Sequence, residues 1–116
     1  MKYLFILNDP PYGTERTYNG LRLATSLAKV EGMEVSVFLM GDAVSSGVTG
    51  QTTPNGYYNL ERMLRGLARR GARIGLCGTC IDARGIKVEG LVEGAKRSSM
   101  EELAAWTSEA DRVLVF

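Results

Sequence analysis

Short, uninterrupted apolar runs alternate with helix-periodic stretches along this chain, and that alternation leaves few architectures open. Tyr3-Leu4-Phe5-Ile6-Leu7 is apolar throughout and closes at Asn8-Asp9-Pro10-Pro11-Tyr12-Gly13, the pattern of a strand buried on both faces and ended by a turn. Thr14 is placed to cap a helix in which Tyr18, Leu21, Ala24, Leu27 and Ala28 recur at steps of three and four, with Gly32 where a left-handed C-terminal cap is expected. Val35 to Met40 predicts a second strand, and Leu60, Met63, Leu64, Leu67 and Ala68 a second amphipathic helix ending at Gly71. Ala72 to Leu76 predicts a third strand leading into Cys77, and a weaker strand is expected near Leu91 to Lys96. Ser99 with Glu102 reads as a capping box before Leu103, Ala104 and Trp106, and Arg112 to Phe116 as a terminal strand.

Strands that alternate with helices pair in parallel through right-handed crossovers, which puts helices on both faces of the sheet. The expected fold is therefore α/β, a three-layer αβα sandwich around a mainly parallel sheet of about five strands. The 116 residues, 45% hydrophobic and 23% charged, suit one soluble domain spanning 1–116. No apolar run approaches the roughly 18 residues of a membrane span, and the first apolar run is too short for a signal peptide, so a cytoplasmic location and no membrane partner are expected. A net charge of +1 is too small for the field that sequence-independent nucleic-acid binding needs.

The absence of histidine removes Ser-His-Asp and Cys-His pairs, histidine bases and every His-containing metal site. Neither GxGxxG nor a Walker motif is present, so no nucleotide or other cofactor is expected. What remains is Cys77-Gly78-Thr79-Cys80, at the end of a strand and followed by Asp82, Arg84 and Gly85. Ligands gather beyond the carboxyl ends of the strands in an open α/β sheet. Loops carrying Tyr12 and Gly13, then Asp42 and Gln51, are expected to meet the cysteines there as pocket residues. Free backbone N–H groups and Arg84 are expected to favour a Cys77 thiolate, with Cys80 able to exchange a sulfur bond with it. Asp82 is placed to accept from the thiol or order Arg84.

The plainer readings are two buried core cysteines, Asp82 as a turn former, Arg84 as a solvated charge and Tyr12-Gly13 as a mere connector. Among active readings, a thioredoxin-like site lacks a proline downstream of the CxxC, and zinc finds two ligands of four. Sulfur transfer needs only one activated thiolate. The stretch from Gly41 to Gly56 reads as a long functional or mobile loop. Part of the segment Gly41 to Tyr58 is expected in a subunit interface near the cysteine loop, because the segment carries Val44, Val48, Tyr57 and Tyr58 with few charges nearby.

The sequence resembles the DsrE/DsrF-like family of sulfur-relay proteins, in its YchN-like branch, almost end to end. The landmarks are Pro11-Tyr12-Gly13, Leu39 to Val44, Gly50-Gln51, Leu76 to Cys80 through Asp82, Arg84 and Gly85, and Trp106 to Asp111. The resemblance implies a Rossmann-like subunit in a homotrimer or a hexamer of two trimers, with the cysteine loop close to a subunit boundary. It also implies a persulfide-carrying cysteine eight residues before the glycine of an Arg-Gly pair, a position filled by Cys77 relative to Gly85. Relay members pass that sulfur from a donor protein towards a small DsrC-like acceptor, in siroheme sulfite-reductase systems or in tRNA thiolation. Cys80 is additional to what relay subunits need. The expected function is thus a sulfur carrier or sulfurtransferase with Cys77 as nucleophile and Cys80 as resolving thiol. The alternatives are a CxxC thiol-disulfide oxidoreductase and a non-catalytic oligomeric binding protein.

Overall fold

A computed structural model describes all residues, 1–116. Strands β1 (Lys2–Leu7), β2 (Glu34–Leu39), β3 (Arg73–Cys77), β4 (Ala95–Ser98) and β5 (Arg112–Val115) form one sheet in the order β4-β3-β2-β1-β5, every pair parallel. The helices are α1 (Arg16–Ala28), α2 (Leu60–Arg69), α3 (Gly78–Ala83) and α4 (Met100–Glu109). From β1 to β4 the chain steps across the sheet in one direction, and right-handed crossovers then place α1 and α2 side by side on one face. The return from β4 to β5 reverses that direction and lays α4 on the other face, where Trp106 meets Phe38 edge-on at 6.0 Å. The expected αβα sandwich is the observed fold. No helix is long and apolar enough to cross a membrane.

The all-apolar runs become the central strands because only there are both faces covered. Leu4, Phe5 and Leu7 of β1 and Val37, Phe38 and Leu39 of β2 are all essentially inaccessible to solvent. Removing each of the larger side chains from water contributes about 1.5–3 kcal/mol. Strand β4 is an edge strand with the sequence Ala-Lys-Arg-Ser, which explains its weak apolar signal. It begins later than expected because Glu93 and Gly94 turn the chain (Gly94 φ +91°), while Leu91 pairs separately with Val48 in an isolated antiparallel bridge.

Three local expectations are corrected by hydrogen bonding. Thr14 does not cap α1; its hydroxyl donates to Asp9 Oδ2 at 3.2 Å and the helix begins at Arg16. Gly32 does have positive φ, but it lies in the turn three residues beyond the C-cap Lys29. Ser99 caps α4 by accepting from Glu102 N–H at 3.2 Å, whereas the Glu102 carboxylate accepts from the Ser98 hydroxyl, so the capping box is half made. Gly71 behaves as expected: Gly71 N–H donates to Ala68 O and Ala72 N–H to Leu67 O, a left-handed close to α2 at φ +93°.

The stretch after β2 is less loop-like than its Gly, Ser and Thr content predicts. Gly41–Gly47 forms a 3-10 helix whose Ala43 and Val44 are fully buried, and Gly47 packs so closely on Leu76 that a Cβ there would lie 2.7 Å from its Cδ2. Gln51 ties the next few residues back to this helix, its Nε2 donating to Ser46 O and Val48 O at 2.8 Å each. Of the four apolar and aromatic residues expected to need a partner subunit, Tyr57 alone is well exposed, at 67%. Tyr58 stacks on Tyr18 with ring centroids 4.0 Å apart.

Candidate functional site at the end of the third strand

Strand β3 lies between β2 and β4, and its register sets Leu76 opposite Arg97 and Cys77 opposite Ser98. At Cys77 the chain turns directly into α3, so the amide hydrogens of its first residues have no helical acceptor. Cys77 is itself mostly buried but borders a cavity of 390 Å³ with Phe38, Thr79, Arg97 and Met100 also in its wall. Its sulfur lies 3.3 Å from Thr79 Oγ1. Burial pushes the Cys77 thiol up. Hydrogen bonding from the Cys80 and Thr79 side chains and from the backbone N–H groups of Cys80 and Thr79 more than offsets this, holding the thiol below the ordinary 9.0.

Cys80 has the opposite fate. Burial pushes its thiol up, and its role as donor to Cys77 pushes it further. The Gly41 N–H, which donates to Cys80 Sγ at 3.2 Å, and the charge of Arg84 pull it back without reversing the shift. Of the two neighbouring thiols, Cys77 is therefore the more acidic and Cys80 the less. Both are free in this structure. No cluster of three or more His, Cys, Asp or Glu side chains suited to a metal ion is present.

The two charged residues expected beside the thiols occupy different sides of them. Arg84 reaches back to the 3-10 helix, donating to Asp42 Oδ1 from Nη2 at 2.8 Å and from Nε at 3.2 Å, and to Cys80 O at 3.1 Å. It thus clamps the Cys80 side. Asp82 accepts from both terminal nitrogens of Arg97, at 2.7 and 2.9 Å, and these bonds hold its carboxyl below the usual carboxylate range. Arg97 also donates to Gly78 O at 3.1 Å, and it is the cation whose charge couples to Cys77. The ion pair is solvent-exposed, so its direct stabilisation is small; its consequence is where it holds the guanidinium. Gly85 has a structural reason for its place in the Arg-Gly pair. It closes α3 at φ +64°, with Gly85 N–H donating to Asp82 O and Ile86 N–H to Ile81 O.

Tyr12 and Gln51 are brought together, but as a brace. Tyr12 Oη donates to Gln51 Oε1 at 2.5 Å and accepts from Leu60 N–H at 3.2 Å, fixing the start of α2. Neither lines the cavity at Cys77, and Gly13 is a turn residue at φ +98° with open space around it. Two residues of the site escape sequence reasoning. Thr79 lies inside the CxxC, where a hydroxyl two positions after a strand-end cysteine is a usable signal. Arg97 has none, because only the pairing of β3 with β4 brings it to the thiols.

The model of the DsrE/DsrF-like family matches residues 1–116. The chain belongs to that family. The YchN protein of Escherichia coli strain K12 is 41% identical over 116 residues, which cover 99% of this chain and 98% of YchN. An uncharacterized protein of Methanocaldococcus jannaschii is 40% identical over the full length of both chains. The crystal structure of the E. coli YchN protein superposes with a TM-score of 0.93 and covers 99% of this chain and 98% of its own. A protein of unknown function from Methanobacterium thermoautotrophicum, 14% identical, shares the fold at a TM-score of 0.78, with 99% and 98% covered. A sulfur-relay-related family is thus the setting in which the CxxC site is to be read.

Proposed function

We propose that this protein is a sulfur carrier that holds a persulfide on Cys77 and hands it to a protein acceptor. The observation that carries the reading is the divided pair of thiols: Cys77, in the wall of a cavity, held low by donated hydrogen bonds, and Cys80, outside that wall, held high. In the loading step the Cys77 thiolate attacks the outer sulfur of a donor persulfide. A new S–S bond forms to Cys77, the donor's S–S bond breaks, and the donor thiolate leaves and takes up a proton. The N–H groups of Thr79 and Cys80 and the Thr79 hydroxyl are placed to stabilise charge at Cys77. In the unloading step an acceptor thiolate attacks the terminal sulfur, the S–S bond to Cys77 breaks, and Cys77 leaves as a thiolate that the same hydrogen bonds stabilise. Asp82 and Arg84 support the site, the first by holding Arg97 and the second by clamping Cys80 to Asp42.

The setting proposed is the cytoplasm, where a reducing poise keeps both thiols free. Assembly as a homotrimer or hexamer is part of the same reading. Its support is the outer edge strand β5, which leaves Val113 and Val115 exposed at 39% and 65%. A second reading, a thiol-disulfide oxidoreductase, is favoured by the proximity of Cys80 to Cys77. Incubation with a cysteine desulfurase or with thiosulfate plus a rhodanese, followed by intact mass spectrometry, separates these. One added sulfur on the wild type and on Cys80→Ser, but not on Cys77→Ser, supports the carrier. Equal loading of wild type and Cys77→Ser refutes it, and a Cys77–Cys80 disulfide with no sulfur gain transfers the case to the oxidoreductase.

A further inference from the structure

The five ion pairs of the molecule engage Arg16, Arg65, Arg73, Arg84 and Arg97. None of them includes Arg22, Lys29, Arg62 or Arg70, and these four exposed cations line one open groove between α1 and α2. No carboxylate lines it. A chain whose net charge is only +1 has therefore gathered four cations without a carboxylate partner on one face, away from the cysteine cavity, Arg22 being held by Asn19 Oδ1 and lying over the Tyr18 ring.

Gly66 adds a second, independent observation. It sits in the middle of α2, where glycine is the least favourable residue after proline, and its φ is not positive. Neither backbone strain nor crowding asks for glycine here, because a Cβ at this position would meet nothing within 4 Å. Its missing side chain leaves the groove bare at the point where Arg62 and Arg70 flank it along the helix.

We propose that this groove docks an acidic helical segment of a partner protein. Arg22 and the α1 C-cap Lys29 are separated by about 10 Å along the helix direction, and Arg62 and the α2 C-cap Arg70 by about 12 Å, from the helical rise per residue. Carboxylates at positions i, i+4 and i+7 of a helix span about the same two turns, so one acidic stripe faces both rows at once. A nucleic acid fits less well. The lining holds no aromatic ring on which a base could stack, and two turns of helix match only about three or four phosphates of one strand. The proposal is independent of the chemistry assigned to Cys77.

The test uses the full chain and a fluorescein-labelled alanine-rich peptide of about 20 residues, long enough to be helical, with glutamates at i, i+4 and i+7. Anisotropy is expected to rise with this peptide, to fall with added salt, and to be absent with its glutamine counterpart. The double variant Arg62→Gln/Arg70→Gln is expected to bind about tenfold more weakly, a factor of roughly three for each exposed pair lost. Gly66→Gln, which fills the groove without changing charge, weakens binding too. Both variants keep the wild-type rate of Cys77 alkylation, which shows that the fold and the thiol site are intact. Failure of the acidic peptide to bind, equal binding by the glutamine peptide, or wild-type affinity in either variant overturns the proposal. So does tighter binding of an oligothymidylate of the same charge, or a change in oligomeric mass as the only effect of the arginine substitutions.

Discussion

Replacing Gly78 with alanine adds one methyl group between the two cysteines, and the structure determines what that methyl meets. An ideal Cβ would lie 2.9 Å from Arg97 Cζ, 2.9 Å from Arg97 Nη2 and 2.9 Å from Ser98 O. The guanidinium can swing away, at the expense of its bonds to Asp82 and Gly78 O. The Ser98 carbonyl cannot move so freely, because it belongs to β4 and its residue is paired with Cys77 in the sheet. Overpacking of this kind costs about 1–3 kcal/mol. A glycine-to-alanine change otherwise stabilises by about 0.4–1 kcal/mol through the unfolded chain, leaving a net loss of up to about 2.6 kcal/mol and centred near about 1.3 kcal/mol. With an unfolding entropy of about 2.1 cal/mol/K per residue over 116 residues, each kcal/mol is worth about 4 °C, so Tm should fall by about 5 °C and by no more than about 11 °C. Gly66→Ala is the control: its Cβ meets nothing, only the helix preference remains, and Tm should rise by about 2–4 °C. Thermal unfolding followed by circular dichroism reads both, and iodoacetamide alkylation should show Cys77 slower in Gly78→Ala because Arg97 is displaced. A Gly78→Ala protein that melts at or above the wild type would refute the argument from the Ser98 carbonyl.

Arg97→Gln removes a cation whose charge is felt by Cys77 less than the hydrogen bonds from Cys80 and Thr79, so the pH profile of Cys77 alkylation should move slightly to higher pH; an unmoved profile means that those side-chain and backbone hydrogen bonds alone set the thiol. Because the folded Cys77 thiol titrates below its ordinary 9.0, its contribution to stability is complete above that value and is lost as pH falls through the folded value. Cys80, raised when folded, runs the other way: its contribution is complete below 9.0 and is lost as pH rises through the folded value. Cys80→Ser, which removes the raised thiol but keeps a hydroxyl donor for Cys77, should therefore run parallel to the wild type below 9.0 and gain stability relative to it as pH rises above 9.0; Tm profiles that stay parallel above 9.0 would contradict the assignment. Trp106→Ala deletes the ring that packs edge-on to Phe38 and under Arg73, whose Cζ lies 4.5 Å from the ring centroid. The loss should be about 3–5 kcal/mol, seen as a Tm drop of more than about 10 °C; a drop under half that would show α4 to be loosely docked.

The lowering of the Cys77 thiol rests on very local features. Cys77 ends a strand and begins a short helix, and Thr79 and Cys80 are within one turn, so the donors that lower the thiol are neighbours in sequence as well as in space. Gly85 closes that turn with left-handed geometry, which ties the eight-residue spacing from Cys77 to a physical need. The charged partners are different. Sequence spacing assigns Asp82 to the thiol or to Arg84, yet it holds Arg97, which approaches from a strand that carries no apolar signature. The same spacing assigns Arg84 to Cys77, yet it ties α3 to Asp42 in the segment after β2.

What the sequence determined by itself is the alternation of strands and helices, the parallel sheet and the strand-end position of the CxxC. These arise from periodicity and from φ/ψ preferences, which act over a few residues. It also determined that no histidine takes part in whatever this site does. Tertiary structure alone decided that Gly41–Gly47 packs as a 3-10 helix against β3, that Tyr12 and Gln51 brace α2, and that Arg97 faces the thiols. Each of these depends on which residues the strand register and the crossovers bring face to face across tens of positions in the chain, a relation that no local pattern encodes.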